Sequence, residues 1–125
     1  MRFTKHYTLD EARALLPQIR AWLAEFDRLR VQIKTVEKPL TYPVASGQDC
    51  GGESVNQLVR LMAAIKAVAG EFDRREIQLK DPARGLLDFP ALRGGREVFL
   101  CWEKDDDDIE FWHELDAGYA GRERL

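Results

Sequence analysis

Two long segments of the chain repeat apolar residues at the three- and four-residue spacing of an amphipathic helix. The first segment, residues 8–36, is interrupted only by Arg30 and carries the apolar row Leu9, Ala12, Leu16, Ile19, Leu23, Phe26 and Ile33. Beside that row lies a second one, formed by Leu15, Trp22 and Leu29. The second segment, residues 54–76, carries Val55, Leu58, Met62, Ile65, Ala69 and Phe72. The pattern predicts two helices that pack as a long antiparallel hairpin.

Local signals predict where the helices begin and what joins them. Thr8 is followed three residues later by Glu11, the spacing of a capping box, so the first helix is expected to begin there. Pro17 removes one backbone hydrogen bond and predicts a bend rather than an end. Residues 37–53 contain prolines and glycines without apolar periodicity, which is typical of a linker.

After Glu76 the apolar spacing changes from helical to alternating. Four short stretches, "IQLK", "LLDFP", "REVFLCWE" and "IEFWHEL", have the composition of strands. Turn residues separate them in "DPARG", "ALRGG" and "KDDDD". Residues 77–115 are therefore expected to form an antiparallel meander of three or four strands, followed by a tail over residues 116–125. The whole chain, residues 1–125, is predicted to be one α+β domain with the hairpin packed on this sheet.

The register of the last two strands decides which side chains share a face. We expect one face to cover the helices and to carry the pairs Trp102–Ile109, Leu100–Phe111 and Val98–His113. The opposite face would then carry the pairs Phe99–Trp112, Cys101–Glu110 and Glu97–Glu114. That second face is half apolar and half acidic, so we expect a partner or the C-terminal tail to cover it.

Two glutamates side by side on neighbouring strands repel each other unless a cation, a proton or an arginine lies between them. A divalent metal is one interpretation, and its candidate ligands are Glu97, His113, Glu114 and Asp116. An ion pair is the other interpretation, and its candidate partners are Arg93, Arg96 and Arg122.

Asp88 lies among apolar residues, where the pKa of a carboxyl group is raised, as acid–base catalysis requires. It faces either the predicted glutamate pair or the row that contains His113. The catalytic candidates are Asp88, His113 and Glu114. The alternative is structural, with Asp88 held by turn N–H groups or by Arg84 and His113 a satisfied, partly buried histidine.

Composition narrows the class of protein. The 125 residues are 45% hydrophobic and 33% charged, which is typical of a globular domain. The net charge of −3, with Lys and Arg scattered among Asp and Glu, argues against binding to duplex nucleic acid. No apolar run approaches the ~20 residues of a membrane span, and the start lacks the apolar segment of a signal peptide, so a cytoplasmic location is expected. Cys50 and Cys101 lie too far apart in sequence to predict a thiol metal site.

Three stretches, "YTLDEARALLP", "LKDPARGLLDFPALRGGREVFLCW" and "WHELDAGYAGR", resemble the prokaryotic family catalogued as domain of unknown function 2203. The resemblance implies a small intracellular bacterial protein and brings no activity, cofactor or catalytic residue. Glu76 departs from it, because a glycine is expected there to end the second helix.

The packing rows favour a protein-interaction or scaffold domain, because the sequence shows no recognised arrangement of catalytic residues. The row of Leu15, Trp22 and Leu29, together with Phe99 and Trp112, predicts a homodimer. The alternative is a metal-dependent or acid/base enzyme that uses the carboxylate and histidine cluster of the sheet, with a substrate that the sequence does not specify.

Overall fold

A computed structural model describes residues 1–40 and 52–125, so most of the predicted linker lies outside the described residues. Helix α1 spans Leu9–Leu40 and helix α2 spans Glu53–Arg74. The predicted capping box is confirmed. The Thr8 N–H donates to Oε1 of Glu11 at 3.0 Å, and the Glu11 N–H donates to Oγ1 of Thr8 at 3.1 Å. Helix α1 continues through Pro17, as expected, and extends past the predicted end at residue 36.

The two helices pack against each other in antiparallel orientation, which confirms the predicted hairpin. The ring centroid of Trp22 on α1 lies 5.5 Å from that of Phe72 near the end of α2. Just before α1, the Tyr7 hydroxyl donates to the Arg75 carbonyl, just after α2, at 2.9 Å. The start of one helix therefore lies beside the end of the other.

Helix α2 ends in a Schellman motif centred on a residue with positive φ. The Ile77 N–H donates to the Phe72 carbonyl at 3.0 Å, and the Glu76 N–H donates to the Asp73 carbonyl at 3.0 Å. Glu76 has φ 58°, the left-handed conformation that favours glycine. The glycine expected from the resemblance therefore corresponds to a real backbone requirement, which a glutamate meets here.

The sheet has five antiparallel strands in sequence order, so the predicted meander is confirmed and is longer than expected. The strands are β1 Gln78–Asp81, β2 Leu86–Arg93, β3 Arg96–Trp102, β4 Phe111–Glu114 and β5 Glu123–Arg124. The predicted tail supplies β5, after a short 3-10 turn over Tyr119–Gly121. The fold is α+β.

The core lies between the helices and one face of the sheet. Helix α1 contributes Ala12, Leu16, Ile19 and Leu23, and α2 contributes Phe72. The sheet and its loops contribute Leu87, Phe89, Ala91, Val98, Leu100, Trp102, Ile109 and Trp112. We call the opposite face, which carries Asp88, Phe99, Cys101 and His113, the outer face.

The predicted register of the last two strands is wrong by one residue. The observed pairs are Val98–Glu114, Phe99–His113, Leu100–Trp112 and Cys101–Phe111. The prediction used Ile109 as a strand residue, but Ile109 lies before β4 and turns into the core from the loop. A slip of one residue moves every side chain of a strand to the other face. His113 therefore lies on the outer face, and Trp112 lies in the core.

Candidate metal centre

The strand pairing brings three side chains of the outer face together. Asp88 on β2 is the cross-strand partner of Cys101 on β3, so their side chains share a face. His113 on β4 is the partner of Phe99, one row away, and its ring lies 5.4 Å from the Phe99 ring. From there the imidazole reaches back across β3 towards Asp88.

Asp88 and His113 are joined by a buried hydrogen bond. Nε2 of His113 lies 3.0 Å from Oδ1 of Asp88, and Nδ1 lies 2.7 Å from the Glu114 carbonyl oxygen. Because a carbonyl oxygen only accepts, Nδ1 carries a proton. One further proton then lies between Nε2 and Oδ1, since neither atom could otherwise donate to the other. Nε2 is thus the nitrogen directed into the cluster.

Cys101 completes the cluster. Among the residues that the structure describes, Asp88, Cys101 and His113 form the one group of three or more potential metal ligands whose ligand atoms all lie within 4.8 Å of one another. Burial, reinforced by the Asp88 charge, raises the pKa of the Cys101 thiol to about 12. Burial also raises the pKa of Asp88, and interaction with His113 acts in the opposite direction.

Segments from both ends of the chain lie over the outer face. The Phe3 ring packs on the Phe99 ring at 5.4 Å, and the Arg122 guanidinium lies 4.1 Å from the Phe111 ring centroid. Asp88, Cys101 and His113 are only 3%, 1% and 2% exposed. The expectation that the C-terminal tail covers this face is therefore met in part, with the N-terminal segment covering it as well.

Glu97 is not part of this cluster. Its Oε2 lies 2.8 Å from Nε2 of His6, and its carboxylate accepts from the N–H groups of Arg2 at 2.7 Å and Phe3 at 2.9 Å. The hydrogen bond with His6 is the main reason that the pKa of Glu97 falls to about 2. Glu97 therefore holds the N-terminal segment on the sheet.

The other predicted metal ligands, Glu114 and Asp116, also lie outside the cluster. Val98, and not Glu97, is the cross-strand partner of Glu114, so the predicted glutamate pair does not form. Instead Glu114 accepts from Arg96 at 2.6 Å, which is one of the predicted arginine pairings. Asp116 is exposed. The four predicted metal candidates thus contribute only His113 to the observed cluster.

Two further expectations concern Asp88. Of the two facings considered, the structure places Asp88 on the outer face, because Leu87 and Phe89 lie in the core. Arg84 does not hold Asp88, since it donates to Oε2 of Glu103 at 2.8 Å. Asp88 and His113, both catalytic candidates, do come together.

Cys101 is the site residue that sequence reasoning missed. The distance in sequence between Cys50 and Cys101 argues against a site built from two thiols, although a single thiolate can join ligands of other types. The correct register would have found it, because that register puts Cys101 and His113 on one face opposite the core. The alternation of side chains along β3 indicates the facing of Cys101, because Val98, Leu100 and Trp102 all point to the core and Cys101 lies between two of them.

Fold and site together define an α+β protein with a buried Asp–Cys–His cluster on the sheet face that points away from its helices. The chain belongs to the family described as uncharacterized conserved protein (DUF2203), whose model matches residues 5–125. The resemblance noted from three sequence stretches is thereby confirmed. No curated protein and no solved structure matches the chain. Neither helix, over the residues described, is long and apolar enough to cross a membrane.

Proposed function

We propose that the protein binds one divalent transition metal ion through Asp88, Cys101 and His113. The observation that carries this proposal is the convergence of a carboxylate oxygen, a thiol sulfur and an imidazole nitrogen within 4.8 Å of one another in the protein interior. Thiolate and imidazole ligands favour zinc over magnesium or calcium, which prefer oxygen ligands. Zinc is therefore the expected ion.

The surroundings of His113 support the proposal. Metal-bound histidines usually donate their second ring N–H to a carbonyl or carboxylate, which fixes the tautomer and the ring orientation. The Nδ1 contact with the Glu114 carbonyl, at 2.7 Å, has this form. All three ligands lie on strands, so the site is held by the ladder of β2, β3 and β4 rather than by a loop.

Burial favours metal binding over acid–base catalysis. Asp88 and His113 are 3% and 2% exposed, so no substrate reaches them in this conformation. A metal ion has no such size requirement, because the three buried side chains would themselves hold it. A free thiol at Cys101 also suits the reducing cytoplasm that the sequence favours.

The test is metal content and metal titration of untagged protein. We expect about one zinc ion per chain by elemental analysis, and a cobalt-substituted protein with the thiolate-to-metal absorption of a cysteine ligand. Cys101→Ser should lose both signals. Cys50→Ser is the matched control, because it removes the only other thiol and should keep both. Wild-type protein that neither contains zinc nor gives the cobalt–thiolate band would refute the proposal.

A second proposal, a protein-interaction role through self-association, is favoured by a different observation. Helix α2 exposes an apolar stripe of Val55, Val59 and Met62, which are 38%, 60% and 51% exposed. These positions have the i, i+4, i+7 spacing of one helix face. We assign the dimer contact to this stripe and not to the residues from which the sequence predicts a homodimer, because two of those, Leu29 and Phe99, are buried within the chain.

Light scattering coupled to size exclusion tests this second proposal. We expect a dimer of the wild-type chain that dissociates in Val59→Lys, because the substitution places a charge in the apolar stripe. Gln57→Lys is the matched control on another side of the same helix and should remain dimeric. A monomeric wild-type protein at high micromolar concentration would contradict the homodimer.

A further inference from the structure

The N-terminal segment, residues 1–6, is held on the sheet only through side chains. Within the part of the chain that the structure describes, its backbone makes no hydrogen bond to another backbone group. Its N–H groups donate instead to the carboxylates of two glutamates, those of Arg2 and Phe3 to Glu97 and those of Thr4 and Lys5 to Glu76. Strands β2, β3 and β4 are joined by backbone ladders. The segment can therefore leave the sheet without breaking any hydrogen bond between strands.

The segment is anchored at its far end, just before helix α1. The Tyr7 N–H donates to the Pro90 carbonyl at 2.7 Å, and the Tyr7 ring packs on the Phe89 ring at 5.4 Å. Tyr7 is 6% exposed and belongs to the core. Residues 1–6 can therefore pivot about Tyr7 while the core stays packed.

The segment closes one side of the cluster of Asp88, Cys101 and His113. The Phe3 ring packs on the Phe99 ring at 5.4 Å, and the Phe99 ring lies 5.4 Å from the His113 ring. Phe99 and His113 are almost fully buried, whereas Phe3 is partly exposed. Contact thus runs from the exposed segment through Phe99 to one of the proposed metal ligands.

The C-terminal tail covers the other side of the outer face but is held differently. Strand β5 pairs with β4, and the Leu125 N–H donates to the Glu110 carbonyl at 2.9 Å. Opening that side breaks backbone hydrogen bonds between strands. The N-terminal segment is therefore the part of the cover that opens at the lower cost in free energy.

We infer that residues 1–6 form a lid over the cluster of Asp88, Cys101 and His113, and that a metal ion enters and leaves the cluster when this lid lifts. The second part of the inference rests on the proposed metal site, whereas the lid itself does not. The three cluster side chains are almost fully buried, so an ion reaches them only through an opening. Glu97 is the latch of the lid, because its carboxylate binds the N–H groups of two lid residues and the imidazole of a third.

Exchange of the His113 Nδ1 proton with water, followed by NMR of the metal-free protein, tests the lid. The Glu114 carbonyl accepts this buried proton, which exchanges only when water reaches the ring. We expect Glu97→Ala to speed the exchange by about tenfold to about a hundredfold, the usual effect of losing hydrogen bonds to one carboxylate. Glu103→Ala is the matched control and should keep the wild-type rate, because Glu103 is similarly covered but pairs with Arg84 and not with the lid.

Urea separates lifting of the lid from unfolding of the whole chain. Lifting the lid exposes little surface, so exchange of the His113 proton should hardly depend on urea at low urea concentration. Exchange that rises with urea as steeply as global unfolding would mean that water reaches the cluster only in the unfolded protein, and it would overturn the inference.

The rate of cobalt uptake connects the lid with the metal site. Glu97→Ala should acquire the cobalt–thiolate band faster than the wild type, and Glu103→Ala should acquire it at the wild-type rate. A band that forms no faster in Glu97→Ala, together with unchanged exchange at His113, would overturn the lid and leave the metal site intact. Absence of the band from wild-type protein would remove the metal site, and with it the entry of metal beneath the lid.

A second lid variant covers the case in which Glu97→Ala fails to fold. Phe3→Ala removes the ring that packs on Phe99 and leaves every strand unchanged. It should speed both the exchange at His113 and the uptake of cobalt, and unchanged rates in this variant would overturn the inference equally.

Discussion

Nε2 of His113, on β4, lies 3.0 Å from Oδ1 of Asp88, on β2, so the two side chains bond across the strand that separates them. Both residues are almost fully buried, and each supplies the hydrogen-bond partner for a buried polar atom of the other. Removing one partner leaves a buried polar group without a hydrogen bond, which is among the costlier single changes in a protein core.

We therefore predict that His113→Ala and Asp88→Ala each lower the free energy of unfolding of the metal-free protein by about 3 kcal/mol. The double variant should lose less than the sum of the two, because the second change removes a group that is already unpaired. Urea unfolding of the three variants and the wild type measures this. Strict additivity would mean that the two residues do not interact in solution.

Metal binding should release protons, and the metal affinity should therefore fall as the pH falls. In the metal-free site one proton lies between Asp88 and His113, and the Cys101 thiol, with a pKa of about 12, is protonated at neutral pH. A metal ion displaces both, so about two protons should leave per ion and the affinity should fall about a hundredfold for each pH unit lost.

Calorimetry in buffers of different ionisation enthalpy measures this proton release directly. The control variant Cys50→Ser should release as many protons as the wild type, since it keeps all three ligands. Zinc that binds without releasing protons would place the metal outside the cluster.

The Glu97 carboxylate should account for part of the loss of folding stability at acid pH. Its pKa is lowered to about 2 in the folded chain, first by the hydrogen bond with His6, from an ordinary value of 4.5. A carboxyl group with a lowered pKa stabilises the folded state above its unfolded pKa, and that contribution is lost as the pH falls from about 4.5 to about 2. Glu97→Gln should therefore lose less stability than the wild type over this interval.

Urea unfolding at a series of pH values below 5 tests the role of Glu97. Glu123→Gln, a change to an exposed glutamate on β5, is the control and should follow the wild-type curve. Identical curves for Glu97→Gln and the wild type would show that the contact with His6 does not stabilise the fold.

Sequence reasoning succeeded where structure is determined locally. The capping box of Thr8 and Glu11 involves two residues of one helical turn, and its hydrogen bonds formed as predicted. The apolar rows of both helices and the change to alternating spacing after Glu76 are likewise properties of short segments. They were sufficient to predict the hairpin, the meander and the α+β class.

The register failed because it depends on contacts that are distant in sequence. The loop between β3 and β4 is held against α1, where Arg20 donates to the carbonyls of Lys104 and Asp106 and Arg13 donates to Asp108, each at 2.8 Å. These contacts turn Ile109 into the core outside the ladder. The order of apolar and polar residues in the loop does not indicate that Ile109 leaves the strand. The resulting one-residue error in register placed the wrong side chains in the predicted site.

Glu76 shows the same dependence on distant contacts and yields the last prediction. Its positive φ is unfavourable for a glutamate, yet its carboxylate accepts from the N–H groups of Thr4 at 2.9 Å and Lys5 at 3.2 Å. Glu76→Gly should relieve the backbone strain, retain the end of α2 and free the N–H groups of Thr4 and Lys5, while Glu97 still holds Arg2 and Phe3. Hydrogen exchange should then be faster at Thr4 and Lys5 and unchanged at Ile77, whose N–H donates within the Schellman motif.

Glu71→Gly, in the last turn of the helix, is the contrasting control, because it weakens the helix itself and should speed exchange at Ile77. If Glu76→Gly left exchange at Thr4 and Lys5 unaltered, the Glu76 carboxylate would not be what protects these two N–H groups.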